Sequence, residues 1–191
     1  SIYKTAKAHH FWRRSGYWIV QESGEHMQIN AQQLTALADT ILRHAGGHPD
    51  AAQKVAARLV SANLAGHDSH GVVRVPRYVE WLEAGYVLKG QTADVVTDGG
   101  AFAVIDGKWG FGQTVAPQAV DFGIKRAVEN GVCITALRNA GHIGRVGAYA
   151  EQAMEQGLIS IHFVNVAGSI LVAPFGGVER RFSTNPVSIG V

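Results

Sequence analysis

Apolar side chains recur at helical spacing in three segments of the first half of the chain, and each segment carries the start and stop signals of a helix. Asn30 is suited to cap the first helix and Pro49 to begin the second. Gly46, Gly66 and Gly85 are suited to end the three helices. The apolar faces comprise Leu34, Leu37, Ala38, Ile41, Leu42 and Ala45; Val55, Leu59, Val60 and Leu64; and Val75, Tyr78, Val79 and Leu82. The pattern therefore predicts a helical N-terminal module.

The second half of the chain has the pattern of a protein with both strands and helices. Residues 93–97 and 101–105 are strand-like runs joined by Asp98-Gly99-Gly100, which is a strong hairpin signal. The glycine-rich residues 106–113 have no Walker spacing, so we interpret them as a turn before a helix. The other predicted elements are two buried strands and two helices, at 132–137, 158–164, 115–130 and 148–156. The fold class is therefore α/β, with a mixed sheet flanked by helices.

Composition and charge exclude several classes of function. The 191 residues are 47% hydrophobic and 17% charged, which is typical of a soluble globular protein. The formal net charge of +2, without a run of Lys or Arg in the body of the chain, argues against nucleic acid as a partner. No apolar stretch is as long as a membrane span. The single cysteine, Cys133, is predicted to be buried in a strand; it excludes an intrachain disulfide framework and suits the cytoplasm.

Residues 1–26 differ in character from the rest of the chain. They mix basic, aromatic and polar residues and have no continuous apolar segment, so they do not have the pattern of a secretory signal. Met27 followed by Gln28-Ile29-Asn30 resembles a natural start. We therefore predict that residues 1–26 are a disordered leader, derived from a vector or from upstream sequence.

The polar stretch Gly66–Arg74 lies at the junction of the second and third helices, where loops often carry function. Asp68 and Ser69 are suited to cap the third helix, and Arg74 can turn back toward His70. A proton donor beside a bidentate anion clamp is what the reduction of a 2-oxo acid requires. The structural alternative is a capped helix with a surface histidine and an arginine paired to a carboxylate.

A second polar stretch, Arg138–Gly147, joins a predicted strand to a helix. Its glycines lack the spacing of the Rossmann fingerprint, and Asn165 stands about 20 residues on, where Asp or Glu is expected. By position alone, His142 is a histidine that ends a strand. His162 is flanked by apolar residues, and we interpret it as a hydrogen-bonded core histidine rather than a ligand.

Several of these stretches resemble motifs of the malate/L-lactate dehydrogenase family, which is distinct from ordinary lactate and malate dehydrogenases. That family includes ureidoglycolate, sulfolactate, diketogulonate and hydroxycarboxylate dehydrogenases. The resemblance runs from about Ile29 to the end of the chain, and its motifs follow one another in the family's order. They are Ala65–Gly71 with Arg74, the Asp-Gly to Gly-Phe-Gly-Gln segment 106–113, Asn139 with His142-Ile143-Gly144, the Ala-Pro-Phe-Gly-Gly residues 173–177 and Thr184-Asn185-Pro186.

The resemblance implies a non-Rossmann dinucleotide-binding fold, with a helical module at residues 27–88 and an incomplete mixed α/β cofactor-binding domain at 89–191. It implies hydride transfer between NAD or NADP and a small 2-hydroxy acid or 2-oxo acid, in a homodimer. In the implied mechanism Arg74 holds the substrate carboxylate, Ser69 hydrogen-bonds the substrate, and a histidine transfers the proton. His70 is the first choice for that histidine and His142 the second. The residues implied to line the cofactor are Asn165, Gly176, Gly177, Thr184, Asn185 and Pro186.

Two other classes of function stay open at this point. One is a metal-dependent hydrolase that uses His67, Asp68, His70 and His142, although no second ligand motif is evident. The other is a non-catalytic remnant, because Ser188–Val191 has the pattern of a strand's middle while family chains continue beyond it. From this we expect that part of the cofactor site is missing, that the chain alone binds NADH weakly, and that it associates.

Overall fold

The structure is a computed structural model that describes residues 11–14, 17–22, 25–166 and 168–191. Three N-terminal strands are followed by three helices and then by a mixture of strands and helices. In chain order they are β1 (Phe11–Arg14), β2 (Tyr17–Glu22), β3 (Glu25–Asn30), α1 (Ala31–His44), α2 (Pro49–Leu64), α3 (Val75–Glu83), β4 (Asp94–Asp98), β5 (Phe102–Gly110), α4 (Gly112–Asn130), β6 (Ile134–Ala140), α5 (Gly147–Met154), β7 (Ser160–Phe163) and β8 (Val187–Gly190). No helix in these ranges is long and apolar enough to cross a membrane.

The N-terminal strands differ from the disordered leader that the sequence predicts for residues 1–26. β1, β2 and β3 form an antiparallel sheet, with Phe11 opposite Val20. The strands contain aromatic and β-branched residues such as Trp18 and Ile19, which favour extended backbone. The rest of that segment lies outside the described residues, and its origin stays a prediction.

The three helices of the N-terminal module confirm the prediction from apolar spacing. The Asn30 side chain accepts a hydrogen bond of 2.8 Å from the backbone N–H of Gln33, so it caps α1 as expected. Pro49 begins α2. The three helices and two residues that follow them in the chain share one core, which consists of Ala38, Leu42, Ala52, Val55, Ala56, Leu59, Val75, Tyr78, Leu82, Val87 and Phe111.

The predicted hairpin is confirmed, but the predicted turn at residues 106–113 is wrong. β4 and β5 pair antiparallel around Gly99-Gly100, and β5 then continues to Gly110, one residue before the cap of α4. Lys108 and Trp109 both have positive φ, and the pairing of β5 with its neighbour β6 shifts register here. The strand therefore absorbs the glycine-rich segment as a bulge, instead of ending before it.

The second half of the chain forms the predicted mixed sheet, with helix α4 packed on it. β5 pairs antiparallel with β4 and parallel with β6, and α4 is the crossover between the two parallel strands. α4 packs on β5, β6 and α2, while α5 packs on a separate antiparallel pair, β7 and β8. The predicted burial of Cys133 is wrong, because the residue lies just before β6 and is half-exposed.

Glycines bring the end of β5 into direct backbone contact with the loop after β6. The Gly141 N–H donates a hydrogen bond of 2.9 Å to the Gly110 carbonyl. A Cβ built on Gly112 would lie 2.1 Å from the carbonyl oxygen of Gly141 and 2.6 Å from the carbonyl carbon of His142. The start of α4 therefore fixes the backbone that carries His142.

Gly112→Ala is expected to destabilise the protein by at least about 1–3 kcal/mol, because backbone rather than a flexible side chain occupies the space that the new methyl group needs. The free energy of unfolding in urea measures this change. Gly123→Ala, within the same helix, is the matched control, since its Cβ would meet only the Thr135 side chain at 3.1 Å. An equal loss of stability in both variants would show that the backbone contact at Gly112 adds nothing to the cost of the substitution.

Candidate active site

The polar stretch after α2 folds as two short 3₁₀ turns, Asp68–His70 and Val72–Arg74. The prediction that Asp68 or Ser69 caps α3 is wrong. Helix α3 begins only at Val75, and neither side chain bonds its first turn. The tight turns instead keep Ser69, His70 and Arg74 on one short loop.

A buried asparagine on α2 holds this loop in place. The Asn63 amide nitrogen donates to the Asp68 carboxylate at 2.6 Å, and its carbonyl accepts from the Val72 N–H at 2.9 Å. Asn63 is only 5% exposed, so both bonds are shielded from water. A Cβ at Gly71 would lie 2.3 Å from the Asn63 side chain, so glycine is needed for this close approach.

Ser69 contacts both His70 and Arg74, so the three residues lie together on the loop. The Ser69 hydroxyl lies 2.9 Å from Nδ1 of His70, within hydrogen-bond distance. Arg74 bends back along the loop, and its Nε donates to the Ser69 carbonyl at 2.6 Å. The guanidinium is thus held beside the imidazole by the backbone of the intervening loop.

The structure brings His142, from the loop after β6, onto His70. The two imidazole rings stack, with centroids 5.1 Å apart and planes inclined by 24°. His67 approaches the other side of the cluster, with its ring centroid 4.7 Å from that of His70. Nδ1 of His142 lies 2.7 Å from the Tyr78 hydroxyl, and Trp81 lies beside the same ring at 6.4 Å. Two motifs that are about 70 residues apart in the sequence therefore form one cluster.

The environment of the cluster favours neutral histidines. The pKa of His142 is lowered to about 4, first by burial and then by the nearby His70 and Arg74. The pKa of His70 is also lowered, by burial first and then by the neighbouring His67 and Arg74. Burial raises the pKa of Tyr78 well above its ordinary value, so its hydroxyl keeps its proton. At neutral pH the site therefore presents an uncharged imidazole pair next to a guanidinium.

The low pKa of His142 gives the stability of the protein a pH dependence. The folded pKa lies below that of the unfolded chain, so the unfolded state binds the proton first as the pH falls. The stabilising contribution is complete above about pH 6.5 and is lost progressively toward pH 4, by up to about 3 kcal/mol. The free energy of unfolding, measured in urea across this pH range, should show the decline, and its change with pH should be smaller in His142→Asn. Identical slopes in the two proteins would contradict the assignment.

Tyr78 is the member of the site that the sequence pattern does not identify. Its helical spacing marks it as a core residue of α3, and it is indeed 1% exposed. Its hydroxyl group is nevertheless within hydrogen-bond distance of His142. The available signal was chemical, because a buried tyrosine hydroxyl needs a hydrogen-bond partner. The same applies to Asn63, a polar residue on the apolar face of α2.

The residues implied to line a cofactor lie in and beside the exposed loop between β7 and β8. The Asn185 side chain accepts from the Val166 N–H at 3.0 Å, and the Pro186 carbonyl accepts from the Val164 N–H at 3.1 Å. These bonds place the Thr-Asn-Pro motif against the end of β7, next to Asn165. The other members, Gly176, Gly177 and Thr184, are exposed in the same loop.

Among the described residues, hydrogen bonds and ring contacts do not join this loop to the histidine cluster. The connection between them is apolar. Ile143, next to His142, and Val164, next to Asn165, pack against the same core cluster around Tyr149. His162 is half-buried and its Nε2 lies 3.1 Å from the Ser160 hydroxyl, so it is hydrogen-bonded as predicted.

The part of the chain that the structure describes contains no ligand set for a metal-dependent hydrolase. No three His, Cys, Asp or Glu side chains there are arranged to hold a metal ion. The His70 ring instead stacks on that of His142 and meets the tilted ring of His67, and the Asp68 carboxylate is bonded to Asn63.

The fold matches that of solved dehydrogenase structures. Malate dehydrogenase from Pyrococcus horikoshii OT3 is similar with a TM-score of 0.80 and 34% sequence identity, over 93% of this chain and 48% of that one. Sulfolactate dehydrogenase from Methanocaldococcus jannaschii is similar with a TM-score of 0.77 and 37% identity, over 83% of this chain and 46% of that one. The architecture is therefore shared with dehydrogenases of 2-hydroxy acids.

The malate/L-lactate dehydrogenase profile matches residues 29–191, and the chain belongs to this family. The resemblance found in the sequence motifs is thereby confirmed. Hydroxycarboxylate dehydrogenase B of Escherichia coli (strain K12) is 42% identical over 168 residues, which are 88% of this chain and 46% of that relative. The chain thus spans about half the length of the curated relatives that it matches.

Proposed function

We propose that this chain binds a 2-oxo or 2-hydroxy acid and transfers its proton in a nicotinamide-dependent dehydrogenase reaction. One observation carries the proposal: the Arg74 guanidinium is held on the loop of His70, whose ring stacks on that of His142, and its charge acts on both histidines. An anion clamp next to a proton-transferring pair suits a substrate with a carboxylate next to a hydroxyl or keto group. Family membership, and the names of the relatives, support the same reaction class.

Arg74 is the proposed carboxylate ligand. Its Nε is used by the Ser69 carbonyl, while its two terminal nitrogens have no hydrogen-bond partner among the described residues. Those nitrogens can donate two parallel bonds to a carboxylate, which fixes both its position and its orientation. Ser69 is the proposed hydrogen-bonding partner of the substrate, and its contact with Nδ1 of His70 links it to proton transfer.

The two histidines are proposed to act as one proton-transferring unit. Their pKa values are lowered, so at neutral pH the pair can accept the hydroxyl proton of a 2-hydroxy acid. In the reverse direction the pair returns a proton to the keto oxygen, and the negative carboxylate on Arg74 favours the protonated pair. His70 is the better-matched carrier near neutrality, because the pKa of His142 is the more strongly depressed. Tyr78 holds His142 in place by its hydroxyl.

NAD or NADP is the proposed cofactor, and the nicotinamide ring supplies or accepts the hydride when bound. The residues of the β7–β8 loop fit the polar parts of such a cofactor. Asn165 and Thr184 are exposed and can hydrogen-bond a carboxamide or phosphates. Gly176 has a φ of +75°, so its backbone takes a turn that a side chain would disfavour. Asn185 and Pro186 shape the base of the loop through their bonds to the strand end.

We also propose that the protein is a cytoplasmic homodimer. The family resemblance supports dimers, and one face of the β7–β8 pair is apolar and exposed, with Ile161 opposite Ile189 and Phe163 opposite Val187. A second copy of the chain would remove this surface from water. Sedimentation equilibrium tests the dimer, and a single monomeric species at micromolar concentration would contradict it.

Turnover with a panel of 2-oxo acids tests the proposed function. The full chain is assayed with NADH and with NADPH, each raised to saturation because weak cofactor binding is expected. A ketone without a carboxylate is the matched control substrate. We expect oxidation of at least one cofactor with 2-oxo acids and little with the control ketone. A protein that binds either cofactor but turns over no 2-oxo acid would contradict the proposal and favour a non-catalytic role.

A further inference from the structure

A small polar cavity lies behind the loop that carries His142, away from the stacked rings. Its volume is about 20 Å³, and roughly 10–15 Å³ is enough for one water molecule, so it has room for a single small ligand. The cavity is formed where α2, α4 and α5 meet the loop between β6 and α5. It is lined by Arg58, Ser61, Gln113, Ile143, Arg145 and Ala148.

Gln113 is the unusual member of this lining. It is 1% exposed, and neither its amide nitrogen nor its carbonyl oxygen has a hydrogen-bond partner among the described residues. An amide buried without partners loses the hydrogen bonds that it makes to water in the unfolded chain. Buried polar groups of this kind therefore normally have hydrogen-bond partners. The amide also lies against the loop after His142, because a Cβ on Gly144 would stand 2.4 Å from its nitrogen. The side chain is therefore held facing the cavity region by tight packing.

Arg145 adds a second buried donor. Its two terminal nitrogens bind the Glu151 carboxylate at 2.7 and 2.6 Å, but its Nε is buried and has no partner in the described part of the chain. Arg58 lines the cavity from α2, with its guanidinium carbon 5.5 Å from the centre of the Tyr149 ring. Among the described residues, Glu151 supplies the only carboxylate bound to Arg145, and its side chain is exposed.

The chemistry of the lining favours an acceptor with negative charge. N–H donors come from Gln113, Arg145 and Arg58, and Ser61 contributes a hydroxyl, whereas one carbonyl oxygen is the only unpaired acceptor among the buried atoms of the lining. Arg58 and Arg145 carry two positive charges, and Glu151 returns one negative charge. A single water molecule accepts two hydrogen bonds at most and leaves the remaining positive charge uncompensated. One monovalent anion accepts hydrogen bonds from these donors and also balances the remaining positive charge.

We propose that this cavity is a binding site for one halide-sized monovalent anion, such as chloride. The anion lies between Arg58, Arg145 and the Gln113 amide nitrogen, and it ties α2 and α4 to the loop that carries His142. Its role is to fix that loop, since Ile143 and Arg145 belong to the cavity wall and follow His142 closely in the chain. The site is separate from the carboxylate clamp at Arg74.

Crystals of the full chain grown in sodium bromide test the site directly. We expect an anomalous bromide peak in the cavity, within contact distance of the side chains of Arg58, Gln113 and Arg145. Density of a water molecule at this position, without an anomalous signal, would overturn the proposal.

Thermal unfolding provides a test in solution. At constant ionic strength, gluconate is replaced by chloride, at a chloride concentration ten times the Kd of the site. Chloride should raise Tm by roughly 3–6 °C, because the anion binds only the folded state. Arg58→Met should abolish the difference between the two salts, whereas Arg43→Met, an exposed arginine paired with Asp39 on α1, should preserve it. An equal salt response in both variants and the unchanged protein would show a general salt effect and no site. If Arg58→Met does not fold, Ser61→Ala replaces it, and a full response in that variant together with no bromide peak overturns the proposal.

Discussion

Replacing His70 or His142 by alanine should lower kcat for 2-oxo-acid reduction by about 10²–10⁴-fold, with little change in cofactor binding. The two rings stack at 5.1 Å, and each has its Nδ1 engaged by a hydroxyl group, that of Ser69 for His70 and that of Tyr78 for His142. Loss of either ring removes the partner against which the other is packed. We therefore expect the double variant to be no slower than the worse single variant.

Steady-state kinetics of the two single variants and the double variant measure this effect. His44→Ala, an exposed histidine on α1, is the matched control and should leave kcat unchanged. Losses that multiply in the double variant would show that the two histidines act independently. A near-normal kcat for His70→Ala alone would assign proton transfer to His142, the second candidate from the sequence.

Arg74→Lys should raise KM for 2-oxo acids by about 10–100-fold and affect a ketone without a carboxylate far less. A lysine ammonium keeps the charge but cannot donate two parallel bonds to a carboxylate. It also cannot hold the Ser69 carbonyl at 2.6 Å with one nitrogen while it presents two others to the substrate. The expected result is therefore a large change in KM that depends on the carboxylate.

The comparison of the two substrates separates binding from structure. If Arg74 only positions the loop, both the oxo acid and the simple ketone lose activity to the same extent. Arg77→Lys, one turn into α3 and paired with Glu80 on the surface, is the control for a change of this type at an exposed position. It should leave KM for both substrates unchanged.

Local signals in the sequence were sufficient for most of the elements. Asn30 caps α1 by a bond to Gln33, and Pro49 begins α2, because capping and proline geometry depend only on neighbouring residues. The hairpin at Gly99-Gly100 follows from turn chemistry in the same way. Family motifs placed Ser69, His70 and Arg74 on one loop and added His142 to them.

The features that the sequence did not predict depend on contacts over long separations. Asp68 does not cap α3 because Asn63, on the preceding helix, takes its carboxylate. β5 extends to Gly110 because its neighbour β6 pairs with it across a bulge. Helical spacing marks Tyr78 as buried, but only the approach of the loop after β6 makes its hydroxyl a partner of His142. Periodicity identifies a buried face and gives no information on what covers it.

The hydrogen bond between Tyr78 and His142 also bears on the order of folding. The two residues are 64 positions apart, and one belongs to the helical module while the other follows a parallel strand pair that needs α4 as its crossover. Neighbouring contacts in α1, α2 and α3 can form early, whereas parallel pairing over such a distance is slow, because loop closure must precede it. In a refolding reaction, the helical signal should therefore recover before the imidazole pair is assembled. Catalytic activity would return with the sheet rather than with the helices.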